Sequence, residues 1–300
     1  MRQKFVIIGG LSRCAVTPLG PSSPACDLWS MAATIRLGTQ GWNYDAWVGA
    51  FYPSGTKAPD YLGVYSRAFS TVEIDSTFYA IPSVRSVRGW ANKTPDGFKF
   101  ALKLPQEITH DNRLRESADL TSLFLDRARE LESKLGIILI QLGPDFSPTE
   151  LPALAAFLPT LPTKEIAFAI EFRQRGWINE GVIALLKEYK VALTLTDARW
   201  IPRKQMLALA ENPTSPTAYL RWMGPNRDFT DYSHIQVDRT RELNAWATAI
   251  KGLQTRVKTI YGFVNNHFSG HSPESVRQLQ RLLGQTPVTP DQLGEQMTLF

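Results

Sequence analysis

VEIDSTFYAIP, residues 72–82, starts as a β-branched strand and ends as a loop dense in polar and aromatic groups. Side chains alternate along an extended chain, so Glu73 and Asp75 share a side with Thr71 while Val72 and Ile74 take the other. Carboxylates on an otherwise apolar strand demand compensation, because an unpaired carboxylate out of water is expensive. The same layout recurs down the chain: a short apolar strand, polar groups at its carboxyl end, then a helical pattern.

Strand patterns fall at residues 35–40, 71–75, 98–104, 137–142, 166–172, 191–196, 218–222 and 259–264. Helical patterns fall at 59–68, 84–93, 118–134, 149–158, 179–189, 203–210, 239–253 and 273–283. Ser83 and Ser272 suit helix N-caps, Pro273 a first turn, and Gly136 a helix stop. Eight alternating units predict a single-domain α/β protein, a parallel (β/α)8 TIM-type barrel. An open doubly wound sheet is the runner-up, but Gly38, Gly41 and Gly49 lack the spacing of a dinucleotide fingerprint.

The 300 residues are 43% hydrophobic and 20% charged, as in ordinary globular proteins. The formal net charge is +5. Arg2, Lys4 and Arg13 stand against Asp27 in residues 1–30, a net +2, which leaves 30 basic against 27 acidic residues in the remainder. That gives little support to nucleic-acid binding by overall charge. Both cysteines, Cys14 and Cys26, lie in the first 30 residues. No apolar run is long enough to span a bilayer, so a cytoplasmic protein with no membrane association is expected. Residues 1–30 read as a disordered extension, with Met31 as the functional start. The barrel is expected over 31–285 and a flexible tail over 286–300.

Ligand chemistry in such a barrel sits at the carboxyl ends of the strands. Those ends carry Gln40 and Trp42, Glu73 and Asp75, Lys103, Gln141, Glu171 and Arg173, Asp197, Arg221, and Asn265 and Asn266. Parity sharpens the picture. In the fifth strand Phe168, Ile170 and Phe172 form the greasy face, whereas Ala167, Ala169, Glu171 and Arg173 are small below and charged above. In the third, Phe98, Phe100, Leu102 and Leu104 oppose Ala101 and Lys103. The competing structural account is an ion-pair network that merely caps the core.

GWNYDAWVGAFYP, VEIDSTFYAIP, WANKTPDGFKFALKLPQEITHD, IQLGPDF, AIEFR followed by Trp177, and YGFVNN together resemble the Domain of Unknown Function 72 family. The resemblance runs from about Gly38 to Gly270. It implies a TIM-type barrel, similar to the endonuclease IV and sugar-isomerase barrels, and no established reaction. The family pattern has His after the strand-five Arg, where this chain has Gln174, and Asp after the strand-eight Asn pair, where it has His267.

Three chemistries compete at the mouth. Glu73, Glu171 and Asp197, with His110 and His267, could ligate a divalent metal. Glu73 and Glu171 could act as a carboxylate pair on a sugar, with Trp42, Tyr44 and Trp177 as stacking surfaces. Lys103, Arg173 and Arg221, with Gln141, Asn265 and Asn266, could bind a phosphate-bearing or nucleic-acid ligand, His110 protonating a leaving oxygen. The last is preferred, because cations arrive from several strands; a binding module without catalysis is the third alternative. The chain ends GEQMTLF, where Gln296, Leu299 and Phe300 resemble the Q-x-x-L-F peptide of proteins that dock on the bacterial sliding clamp. Pro287 and Pro290 are expected to keep the preceding linker extended and non-helical.

Overall fold

The β-branched, period-two stretches form eight strands: β1 (Thr34–Thr39), β2 (Thr71–Ile74), β3 (Lys99–Lys103), β4 (Leu135–Gln141), β5 (Phe168–Glu171), β6 (Ala192–Ala198), β7 (Thr217–Gly224) and β8 (Thr259–Val264). The computed structural model describes residues 33–225 and 229–297; the expectations for residues 1–30 lie outside them. All the paired strands run parallel, in the order β1-β8-β7-β6-β5-β4-β3-β2. A bridge between Gln40 and Glu73 brings the first and last strands together, so the sheet is a nearly closed (β/α)8 barrel.

The helices are α1 (Tyr61–Ala68), α2 (Ser76–Tyr79), α3 (Val84–Asn92), α4 (Ala118–Arg129), α5 (Leu151–Phe157), α6 (Glu180–Glu188), α7 (Arg203–Leu209), α8 (Thr240–Leu253), α9 (Ser272–Leu282) and α10 (Pro290–Met297). Ser83 caps α3 as expected, accepting the Ser86 N–H at 3.1 Å. Ser272 does not cap α9. Its own N–H and hydroxyl donate to the Asn266 side chain, at 3.0 and 2.7 Å. Gly136 is not a helix stop but a strand residue, where a Cβ would lie 2.9 Å from the Tyr261 hydroxyl and 3.1 Å from the Phe100 carbonyl.

The strand parity holds. Phe168, Ile170, Phe172, Phe100 and Leu102 join the large core under the helices. Ala101, Ala169, Ile137 and Leu139 line the barrel with Tyr219, Tyr261 and Phe263. Alanines on β3 and β5 leave room for the Tyr219 and Phe263 rings, whose centroids lie 5.2 Å apart.

The seam between β1 and β2 is closed partly by a side chain. The Tyr65 hydroxyl accepts the Thr39 N–H at 2.8 Å and donates to the Thr71 carbonyl at 3.0 Å. Gly38 permits this approach, since a Cβ there would meet the Thr71 oxygen at 2.1 Å.

The linker before the terminus is a correction. Pro290 opens α10 instead of blocking a helix, a position where its missing N–H is no loss. Thr289 and Gln292 form a reciprocal capping box: the Thr289 N–H donates to Gln292 Oε1 at 2.9 Å and the Gln292 N–H to Thr289 Oγ1 at 3.4 Å. Leu293 is buried, and Arg277 Nε holds the Val288 carbonyl at 2.9 Å. Leu299 and Phe300 lie outside the described residues, while Gln296 falls within α10. No helix among the described residues is long and apolar enough to cross a membrane.

Candidate functional site

Arg221, on the inward face of β7, is the centre of the mouth and is 1% exposed. Its Nε and Nη2 donate to Glu73 Oε2 and Oε1 at 3.0 and 2.7 Å. Its Nη1 donates to Glu171 Oε2 at 2.5 Å and to Gln141 Oε1 at 3.2 Å. Tyr219, two residues earlier on the same face, donates its hydroxyl to Glu73 Oε2 at 2.6 Å. One guanidinium thus neutralises carboxylates from β2 and β5, which is the compensation the strand carrying Glu73 requires.

The two carboxylates are not equivalent. Burial alone would raise Glu171, but Arg221 and Arg173, whose Nε donates to Glu171 Oε1 at 3.1 Å, more than offset it and hold Glu171 at about 2. Glu73 goes the other way. Burial raises it above the usual carboxylate value, Asp75 adds to the rise, and Arg221, Lys103 and Tyr219 do not offset it. The guanidinium it holds is shared with Glu171, so Glu73 is the easier of the pair to protonate.

Lys103 rises from β3 beside this cluster. Its Nζ lies 3.3 Å from Asp75 Oδ1 and 4.3 Å from the centre of the Phe78 ring. Burial lowers its pKa and Arg221 opposes the charge further, while Asp75 pulls it back. His110 sits on the π-helical turn Glu107–Asp111 that follows β3. The loop after it is anchored by Arg113, whose Nε donates to Glu150 at 2.7 Å. His110 Nδ1 lies 2.8 Å from Thr109 Oγ1, and its ring meets Phe78 edge-on at 5.0 Å. Burial, then Arg173 and Lys103, lower its pKa. The imidazole is therefore neutral near pH 7, suited to accept a proton and unsuited to the acid role expected from sequence.

Two depressions open on the rim. One, of about 380 Å³, lies over the ends of β4 to β7 and is lined by Arg173, Arg199, Trp200, Pro144, Met223 and Gly224 among others. Arg173 and Arg199 both approach the Trp200 ring, at 5.5 and 4.2 Å from its centre. The other, of about 520 Å³, lies over β1 and β2 and includes Trp42, Tyr44, Asp75 and Trp90. Tyr44 donates to the Gln40 carbonyl at 3.0 Å, and Gln40 Oε1 accepts from Asn265 at 2.8 Å.

Several expected site residues are not brought here. Asp197 has the opposite parity to Arg221's neighbour Thr196 and turns outward to the helices. Arg203 grips it with Nε at 2.5 Å and Nη2 at 3.0 Å, and the Trp246 indole donates to it at 2.7 Å. Asn266 accepts from Ser272 at the start of α9 and joins no ligand surface. Trp177 is buried, stacked between Phe172 and Phe146 at 4.7 and 5.4 Å. Arg221 is present at the mouth, but as the partner of Glu73 and Glu171 and not as an open cation. Among the described residues, no three or more His, Cys, Asp or Glu side chains are placed to hold a metal ion. Gln174 donates to the Pro144 carbonyl at 2.7 Å, and His267 Nε2 lies 3.2 Å from the Tyr232 hydroxyl. Sequence reading missed Arg199, Trp200, Trp90 and Tyr219. Tyr219 was legible from its shared parity with Arg221; the others sit on loops or a helix, where no periodicity marks them.

A sequence model of the family described as "Protein of unknown function DUF72" matches residues 36–297. YecE of Escherichia coli K12 is 35% identical over 147 residues, 49% of this chain and 51% of YecE, so the chain spans about half of that relative's length in the match. YunF of Bacillus subtilis 168 is 25% identical over 270 residues, covering 83% of this chain and 94% of YunF. The crystal structure of a DUF72 family protein from Thermotoga maritima superposes with a TM-score of 0.71 at 25% identity, over 84% of this chain and all of that one. A DUF72 family protein from Enterococcus faecalis, 20% identical with a TM-score of 0.67 over 85% of this chain and 99% of that one, shares the fold.

Proposed function

The chain belongs to the DUF72 family, and on that premise we propose that its mouth binds a small phosphate-bearing anion, with Arg173 and Arg199 as the cationic ligands. The observation that supports this most is the depression over β4 to β7. It offers two guanidinium groups and an indole, with no carboxylate among its described lining residues. Arg199 makes no ion pair among the described residues, so its charge is available to a ligand. Guanidinium groups suit phosphate because their donors match its oxygens in pairs. Trp200 gives a planar group somewhere to stack.

Arg221 then serves as the strut that keeps Glu171 ionised, and Glu171 in turn orients Arg173. Neutral His110, close enough to feel the charges of Arg173 and Lys103, supplies the proton acceptor if the bound anion is turned over. The carbohydrate-type reading has less support. It needs a substrate to reach Glu73 or Glu171, and both are buried with their oxygens engaged. A nucleic acid offers the same phosphate chemistry, but the small net charge gives it little long-range attraction. Recruitment by a sliding clamp through Gln296, Leu299 and Phe300 is a separate proposal that rests on the sequence pattern, and loss of clamp binding in Phe300→Ala would support it.

The experiment is a crystal soaked with pyrophosphate. Density for the anion against Arg173 and Arg199 is the expected result. An anion bound at another place on the barrel, or none at the mouth, refutes the reading.

A further inference from the structure

The second depression differs in chemistry from the first. Among its described lining residues the only charged side chain is Asp75, and three aromatic residues, Trp42, Tyr44 and Trp90, line the groove with it. Trp42 and Trp90 meet at 79° with their centroids 6.2 Å apart. Two indoles at a right angle form a corner, not a flat platform. A sugar ring stacks on a single open face, whereas a corner encloses a compact, rounded group. A cation is attracted to the faces of such rings, most strongly when a carboxylate stands beside them.

The local field has the matching sign. Tyr44 is pushed up, first by burial and then by the negative charge of Asp75, with Glu73 adding to it. Lys103 pairs with Asp75 Oδ1 from the buried side, at 3.3 Å. Asp75 itself is partly exposed and lines the groove, so its outer edge faces whatever enters. The Tyr44 hydroxyl is committed to the Gln40 carbonyl, and its ring packs on Trp47 at 4.6 Å and meets Tyr232 edge-on at 5.8 Å, so Tyr44 is a fixed part of the groove wall.

We propose that this groove is a binding site for an organic cation of the substituted-ammonium class, held by Trp42, Trp90 and Tyr44 around the charge and by Asp75 against it. The site is separate from the arginine pocket and does not depend on the phosphate reading.

The test uses choline as the probe, titrated at constant ionic strength while tryptophan fluorescence is followed, with 3,3-dimethyl-1-butanol as the uncharged isostere. A saturable change with choline, at least tenfold weaker with the isostere, is expected. Trp90→Leu should abolish it and Asp75→Asn should weaken it about tenfold. Thermal unfolding of each variant shows that it is folded, and Trp90→Leu keeps the test open if Asp75→Asn releases Lys103 and fails to fold. Arg199→Ala should leave choline binding unchanged, which separates this site from the arginine pocket. Equal binding of the isostere, saturable binding by glucose in place of choline, or no saturation by choline each overturns the proposal.

Discussion

Arg221 and Glu73 form a two-point pair inside the barrel, Nε to Oε2 at 3.0 Å and Nη2 to Oε1 at 2.7 Å, with neither side chain open to water. The pair joins β7 to β2 across the barrel, and Glu171 on β5 completes it. Removing Arg221 leaves Glu73 with the Tyr219 hydroxyl and Glu171 with Arg173 but takes away the charge the two buried carboxylates share, which is far worse than replacing all three with apolar groups. Arg221→Met should therefore destabilise the protein by about 3–5 kcal/mol. Chemical denaturation measures it, and a loss below about 1 kcal/mol would mean that water reaches the carboxylates.

The two carboxylates should give opposite pH dependence. Glu171, held at about 2, contributes stability that is full above its ordinary value of 4.5 and lost as pH falls through its folded value. Glu73 is raised above 4.5, so its contribution is full below 4.5 and lost as pH rises through its folded value. Glu171→Gln should flatten the acid limb of the stability–pH curve, and Glu73→Gln the limb above 4.5. The reverse assignment, seen in denaturation midpoints across pH, would contradict the electrostatic account.

The β1–β2 seam makes a third prediction. Tyr65→Phe removes the hydroxyl shared by the Thr39 N–H and the Thr71 carbonyl, leaving two buried backbone groups without a partner. The expected loss is about 1–3 kcal/mol. Amide exchange at Thr39 should accelerate along with it. Unchanged exchange would show that another group closes the seam.

Asp197 should prove structural. Asp197→Asn weakens the grip of Arg203 and the Trp246 hydrogen bond, so the melting temperature should fall while pyrophosphate binding is unaltered. Loss of binding at unchanged stability would restore Asp197 to the site.

The barrel was legible because its signal is repeated. Phe168, Ile170 and Phe172 against Ala169 and Glu171 is a period-two pattern, and eight such units admit few other folds. Part of the inward set was legible for the same reason, since Glu73, Lys103 and Glu171 follow from parity, while Arg221 was placed at the mouth by its position near the carboxyl end of its strand. What parity leaves open is who pairs with whom. Arg221 looked like a ligand for an outside anion because its partners stand 148 and 50 residues away in sequence. Asp197 was misplaced by a single position, since Thr196 and not Asp197 shares the inward register with Arg221. The helix at Pro290 was missed although Thr289 and Gln292 spell a capping box, because two prolines were read as helix breakers when one opens a first turn. Arg199 and Trp200 follow β6 on a loop, and only the fold shows that they face Arg173.

The central claim, that Arg173 and Arg199 make the mouth an anion site, is tested most directly by calorimetric titration of pyrophosphate into the wild-type protein and Arg199→Ala at matched ionic strength. Among the described residues Arg199 makes no ion pair and only approaches the Trp200 ring, so the variant tests binding with little cost to folding. The account predicts one saturable site in the wild type, and in the variant an affinity at least tenfold lower with an unchanged melting temperature. Equal affinity in both proteins, or no saturable heat in either, would contradict it.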